Sequence, residues 1–167
     1  MGNTATAGWA TVHARTAALR DVVTALDSGQ DLPWDETASE LFADRSELLQ
    51  ELHALWSRRL QGRLDLALEL DACSLEESVA TAWLRTTADL PGVRRVLDAH
   101  ADDPALRQLE RSQLRLVAVA AGLATFDDPI TRSASAGARL VRGARGRSPA
   151  RAARPSFGTR LRLALAG

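Results

Sequence analysis

The sequence predicts an all-α protein: an antiparallel helical bundle of four long and one or two short helices, followed by a disordered basic C-terminal tail. Three observations predict it. Alanine and leucine occur 31 and 26 times in 167 residues, while aromatic residues are 4% and tyrosine is absent; helices favour the first pair and strands favour β-branched and aromatic side chains. Apolar residues recur at alternating spacings of three and four over long segments, the signature of one helix face. Start signals of the Ser/Asp-x-x-Glu and Asp-Pro types stand ahead of several of those segments.

The elements follow in order. Trp9, Val12, Thr16, Leu19, Val23 and Leu26 form a 3-4-3-4-3 stripe that predicts a helix over residues 4–28. Gly29 stops it, because glycine takes up a left-handed cap at little cost. Gln30 to Trp34 reads as a turn, and a short helix follows near residues 35–43. Asp44 and Glu47 have capping-box spacing and open a long helix to about residue 70, with Leu48, Leu49, Leu52, Leu55, Trp56, Leu60 and Leu64 on its apolar side and Gly62 as a candidate bend. Ser74 and Glu77 repeat the box before Leu75, Val79 and Trp83, in a helix running to residue 89 that Pro91-Gly92 breaks; a short helix near 93–101 follows. Asp103-Pro104 starts a helix to about residue 125, with Gln113 the one polar member of the seam Leu106, Leu109, Leu116, Ala120, Leu123. Asp128-Pro129 starts a last helix, predicted to decay near Gly143. The shared Asp-Asp-Pro-x-x-Arg at 102–107 and 127–132 reads as convergent capping, since the flanking segments differ.

Charge divides the chain. All 21 basic residues are arginine and there is no lysine; residues 1–128 sum to −9 and residues 129–167 to +9. The expected organisation is a bundle domain over 1–130 and an Arg-rich helix remnant with a flexible tail over 131–167. In the tail Arg132, Arg139, Arg142, Arg145, Arg147, Arg151, Arg154, Arg160 and Arg162 are interleaved with Gly, Ser, Pro and Ala. Arginine forks match phosphate and carboxylate, so these nine are the candidate contacts for a polyanion or an acidic partner. Contact with the acidic body, or compositional drift without a role, are the competing readings. Only Phe157 is there to stack on a base, so a nucleic-acid contact would be weak and nonspecific. Trp34, beside Pro33 in a turn, either plugs the bundle end or is a candidate partner contact.

Enzyme chemistry finds little support. No Gly-x-x-x-x-Gly-Lys can exist without lysine, and no Glu-x-x-His or His-Glu-x-x-His occurs. His13, His53 and His100 lie on three different predicted helices and read as flank or core positions, and no metal or cofactor is expected. Cys73 precedes the Ser74 cap, but Asp71, Glu76 and Glu77 oppose thiolate formation. A single cysteine, no apolar stretch of the ~20 residues that span a bilayer, and no signal-like start lead to the expectation of a cytoplasmic protein without a transmembrane segment.

Several stretches carry a resemblance: His13 to Arg20, Asp31-Leu32-Pro33-Trp34, Leu64 to Leu70, and Ala101 to Arg107. Over about residues 8–130 the chain resembles uncharacterised all-helical proteins of high-GC actinobacteria. The resemblance implies a bacterial origin and carries no catalytic residue. The functional expectation is a non-enzymatic helical interaction protein that uses helix surfaces and the Arg-rich tail, with a protein partner or self-association. The alternatives are a weak nonspecific nucleic-acid binder, and a small-ligand or enzyme site hidden between helices.

Overall fold

The computed structural model describes residues 3–69 and 74–146, with side chains in the first helix from Trp9 onward. The fold is all-α. The described residues form seven helices: α1 (Asn3–Asp27), α2 (Glu36–Leu41), α3 (Arg45–Glu69), α4 (Leu75–Asp89), α5 (Pro91–Ala99), α6 (Pro104–Ala120) and α7 (Ile130–Gly146). The expectations for Cys73 and for residues 147–167 fall outside the described residues.

The helix boundaries have local causes. Gly29 adopts φ 92°, and the Gln30 and Gly29 amides donate to the Ala25 and Leu26 carbonyls at 3.1 and 3.0 Å, a two-bond cap that closes α1. Asp35 accepts from the Ala38 amide at 2.9 Å to start α2. Asp44 accepts from the Glu47 amide at 2.8 Å, while Glu47 reaches back to the Ala43 amide at 2.6 Å, one residue earlier than a standard box. Ser74 accepts from the Glu77 amide at 3.2 Å to start α4. Leu90 serves as the last cap of α4 and the first of α5, with Pro91 opening the new helix. Gly62 introduces no break, since α3 runs through it.

Two boundaries differ from the sequence expectation. Helix α6 ends at Ala120, five residues early, because Gly122 adopts φ 70°. The Leu123 amide then donates to Ala118 at 2.9 Å and the Gly122 amide to Val119 at 3.0 Å, the same cap as at Gly29. Leu123, the expected last member of the seam, is left exposed. The two Asp-Pro signals also diverge. Asp103 accepts from the Leu106 amide at 2.8 Å and caps α6, whereas Asp128 turns back to accept from the Thr125 amide at 2.8 Å.

The core is built on α3, which packs against α4, α5 and α6. Leu48, Leu52, Trp56 and Leu60 of α3 are fully buried with Val79 and Trp83 of α4, Val93 and Leu97 of α5, and Leu106 and Val117 of α6. Trp56 and Trp83 meet edge to face with ring centroids 4.4 Å apart, the arrangement the ring quadrupoles favour.

The expected domain boundary at residue 130 does not separate packed from unpacked chain. Helix α7 lies against α6 and α4 and buries Ser133, Ala134, Ala136, Gly137, Leu140, Val141 and Ala144. It is a fifth long helix and part of the core, not a remnant. The physical reason is residue size. Small side chains let the two backbones approach so closely that a methyl group at Gly137 would sit 2.0 Å from the Leu114 carbonyl oxygen. Short side chains bury little area each, so α7 lacks the leucine stripe that marks the other helices, yet close backbone contact recovers dispersion energy along its length.

Trp9 and Val12 are a further correction. The apolar stripe puts them on the face that Leu26 buries, but Trp9 is 67% and Val12 55% exposed. Helix α1 packs on α5 and α2 through its C-terminal half, where Val22 and Leu26 are buried. There, Gly92 admits α5 against the Leu26 backbone and its amide donates to Asp27 at 3.0 Å.

Candidate functional site

The three histidines have separate environments. His13 is exposed on α1, its ring 6.0 Å from that of Trp9. His100 caps α5 and contacts the Val96 carbonyl at 3.0 Å through Nδ1. His53 is 5% exposed inside α3. Among the described residues no three His, Cys, Asp or Glu side chains form a group able to hold a metal ion.

His53 belongs to a buried polar cluster where α3, α5 and α6 meet. At its centre is Arg94, 4% exposed, with its guanidinium carbon 5.0 Å from the Trp56 ring centre and 5.8 Å from that of Trp83. Arg94 pairs with Glu110 of α6 at 2.9 Å and with Asp98 of its own helix at 2.9 Å. The first is an ion pair whose N–H bonds are poorly aligned with the oxygen. His53 Nε2 stands 3.8 Å from the same Glu110 oxygen, and Nδ1 is 3.3 Å from the Ser57 hydroxyl. Burial pushes the His53 pKa down, and Arg94 adds to that against the opposing pull of Glu110. The ring is therefore neutral at pH 7.

This cluster is structural in its geometry. A guanidinium stacked on two indoles and flanked by two carboxylates has its charge neutralised inside the fold. Asp98 extends the network to Arg145 of α7 at 3.2 Å, so Arg145, one of the nine candidate contacts, is engaged internally. Beside the cluster a groove of about 580 Å³ runs between α3 and α6, lined by His53, Ser57, Leu109, Gln113 and Leu116 among others. Gln113 is 5% exposed and its amide nitrogen has no hydrogen-bond partner among the described residues.

The arginine face of α7 is the second feature. Successive residues turn by about 100°, so the seven buried residues occupy one side and Thr131, Arg132, Ser135, Arg139 and Arg142 the other. Helix α7 contains no carboxylate. Arg132 is exposed and reaches Asp128 only at 4.0 Å, while Arg139 and Arg142 are exposed and form no ion pair among the described residues. From Arg132 to Arg142 the face spans about 15 Å at 1.5 Å per residue. On α6, Arg107 and Arg111 are exposed and line a groove of about 520 Å³ with Thr131 and Ser135 of α7. The α6–α7 pair thus carries five outward arginines.

Of the nine candidate arginines, Arg132, Arg139 and Arg142 are exposed on α7. Arg147, Arg151, Arg154, Arg160 and Arg162 lie outside the described residues. Trp34 is half-buried and packs against the core. Arg94, Glu110, Arg107 and Arg111 were missed. The i, i+4 spacing of Arg94 with Asp98, and of Arg107 with Arg111, was the available signal; which of these arginines is buried depends on neighbours distant in sequence.

Comparison with known proteins finds no match among family models, curated proteins or solved structures. Among the described residues no helix is long and apolar enough to cross a membrane.

Proposed function

We propose that the protein is a non-enzymatic helical interaction protein of the bacterial cytoplasm, which binds an anionic partner through the outward face of α7 and the arginine-rich sequence after it. One observation carries the reading. Helix α7 is fixed to the body by one side and turns Arg132, Arg139 and Arg142 outward on the other, with no carboxylate of its own to neutralise them. An ordered row of arginines on a rigid helix loses less side-chain freedom on binding than the same residues on a flexible chain. Arg107 and Arg111 of α6 widen the row.

An acidic protein surface is the partner favoured, because the −9 sum of residues 1–128 repels a long polyanion more than a compact acidic patch. A second reading, weak nonspecific nucleic-acid binding, draws on the absence of any aromatic residue from α7, which limits contact to phosphates. The test is fluorescence anisotropy of a labelled poly-glutamate peptide, a DNA duplex and an RNA strand, at two salt concentrations. The wild-type chain is compared with an Arg132→Ala, Arg139→Ala, Arg142→Ala triple variant. Binding of poly-glutamate that the triple variant weakens at least tenfold supports the proposal. If the duplex binds more tightly, and the triple variant reduces its log–log salt slope by about 3, the nucleic-acid reading replaces it. If no probe binds at low salt, both readings fail.

A further inference from the structure

From Trp9 to Thr16, α1 carries apolar-stripe positions that no helix covers among the described residues. Trp9, Val12, Thr16, Leu19, Val23 and Leu26 occupy alternating heptad core positions. Leu26 is fully buried, and Leu19 and Val23 are partly buried against the core. Further up, Thr16 is exposed, and Val12 and Trp9 are more than half exposed. Between α1 and α3 this leaves an open groove of about 840 Å³, within the range of functional pockets. Its apolar surface comes from Val12, Leu19, Val23, Phe42, Leu55 and Leu90.

The rim is basic. Arg15, Arg20 and Arg58 line the groove, against one carboxylate, Glu51. Arg15 is spent: it stacks on Phe42 with its guanidinium carbon 4.8 Å from the ring centre, and pairs with Glu47 at 2.6 Å and Glu51 at 3.2 Å. That pairing ties α1 to α3 and consumes the carboxylate as well. Arg20 on α1 and Arg58 on α3 are exposed and form no ion pair among the described residues. An apolar trough with an unpaired arginine on each wall is therefore what an incoming chain meets.

We propose that this groove docks an amphipathic helix of a partner protein, with apolar residues at heptad spacing and carboxylates on both flanks. The period of the unpartnered residues calls for a helix, since knobs at heptad positions are matched by those of another helix. Charge decides which helix. The chain's own sequence after residue 146 carries Arg147, Arg151, Arg154, Arg160 and Arg162 and no acid, so it is repelled by the same rim. A second copy of α1 sets no carboxylate against either arginine: its Asp21 lies at the outermost heptad position, its Asp27 accepts from the Gly92 amide, and heptad positions set Arg15 against Arg20 in a parallel pair and Arg20 against His13 in an antiparallel one. A helix flanked by glutamates satisfies both arginines and covers Trp9 and Val12.

The test uses the full chain and two designed 18-residue peptides, with leucine at heptad core positions and either glutamate or lysine at the flanks. Binding is read by anisotropy of the labelled peptide. The glutamate peptide binds at least tenfold more tightly than the lysine peptide, and an Arg20→Glu, Arg58→Glu variant reverses that preference. The Arg132→Ala, Arg139→Ala, Arg142→Ala variant keeps it, which separates this groove from the α7 face. Val12→Asp weakens the glutamate peptide while the melting temperature holds, because Val12 is exposed in the free protein. The proposal is overturned if the two peptides bind alike, if reversing Arg20 and Arg58 leaves the preference unchanged, or if loss of the α7 arginines abolishes binding. It is also overturned if sedimentation shows the chain to be a dimer that Val12→Asp dissociates, since a second copy then fills the groove.

Discussion

Replacing Gly137 with alanine places a methyl carbon 2.0 Å from the carbonyl oxygen of Leu114, 2.9 Å from its carbonyl carbon and 3.3 Å from its Cα. All three atoms are backbone of α6, so no rotamer change relieves the clash. Ordinary contact begins near 3.4 Å, so α6 and α7 must separate by about 1.4 Å at this point. That separation loosens Ala134, Leu140 and Val141 beside it and draws Arg145 from Asp98. Overpacking of this kind costs about 3 kcal/mol, and the better helix propensity of alanine returns about 1 kcal/mol. The net loss is about 2 kcal/mol, or a fall in melting temperature of roughly 4–8 °C for a chain of this size. Gly62→Ala is the internal control. Gly62 lies within α3, exposed, with nothing within 4 Å of an added methyl group, so the same substitution there gains about 0.5–1 kcal/mol. Urea denaturation followed by helix circular dichroism measures both. If Gly137→Ala is as stabilising as Gly62→Ala, α6 and α7 do not approach as described and α7 is not part of the core.

Truncation after Asp128 removes all of α7 and uncovers the faces of α6 and α4; it abolishes the cooperative thermal transition, whereas an unchanged transition returns the folded boundary to residue 130. Leu52→Ala, at a fully buried position of α3, costs about 2–5 kcal/mol, while Leu116→Ala, half-buried beside the α3–α6 groove, costs less; equal losses in denaturant titrations contradict the difference in burial. Burial lowers the His53 pKa below its unfolded value, so the unfolded chain takes up the proton first and stability declines as pH falls from about 6.5. Glu47, Asp103 and Asp128 are held below the ordinary carboxylate range, chiefly by the amides of Ala43, Leu106 and Thr125; their contribution is lost in a second step, as pH falls through about 4 and below. His53→Gln removes the first step and leaves the second; a variant whose melting temperature still declines between about pH 7 and 5.5 as the wild type's does assigns that step to another group.

The all-α class and most helix limits are legible in the residues alone, because those depend on neighbours within a turn or two. Gly29, Asp44, Ser74 and Asp103 each act through a hydrogen bond three to five residues away, and the leucines of α3 share a face by helix periodicity alone. Gly122 shows the limit of that logic: the seam ran on to Leu123, and a single left-handed residue ended the helix first. The arginine face of α7 was legible for the same local reason, since Arg132 and Arg139 oppose Ala134 and Val141 on any helix. What touches what was decided only by tertiary structure. An apolar stripe says that a face can be buried, not that a partner is present, and in α1 the stripe meets the core at Leu26 and solvent at Trp9. Conversely, α7 has few large apolar residues and is buried because Gly137 and its small neighbours fit the backbone of α6, a complementarity of shape that hydrophobicity does not encode. Arg94 reads in sequence like any helix arginine; it is buried because Trp56, Trp83 and Glu110, from three other helices, converge on it, and only the packed fold brings them together.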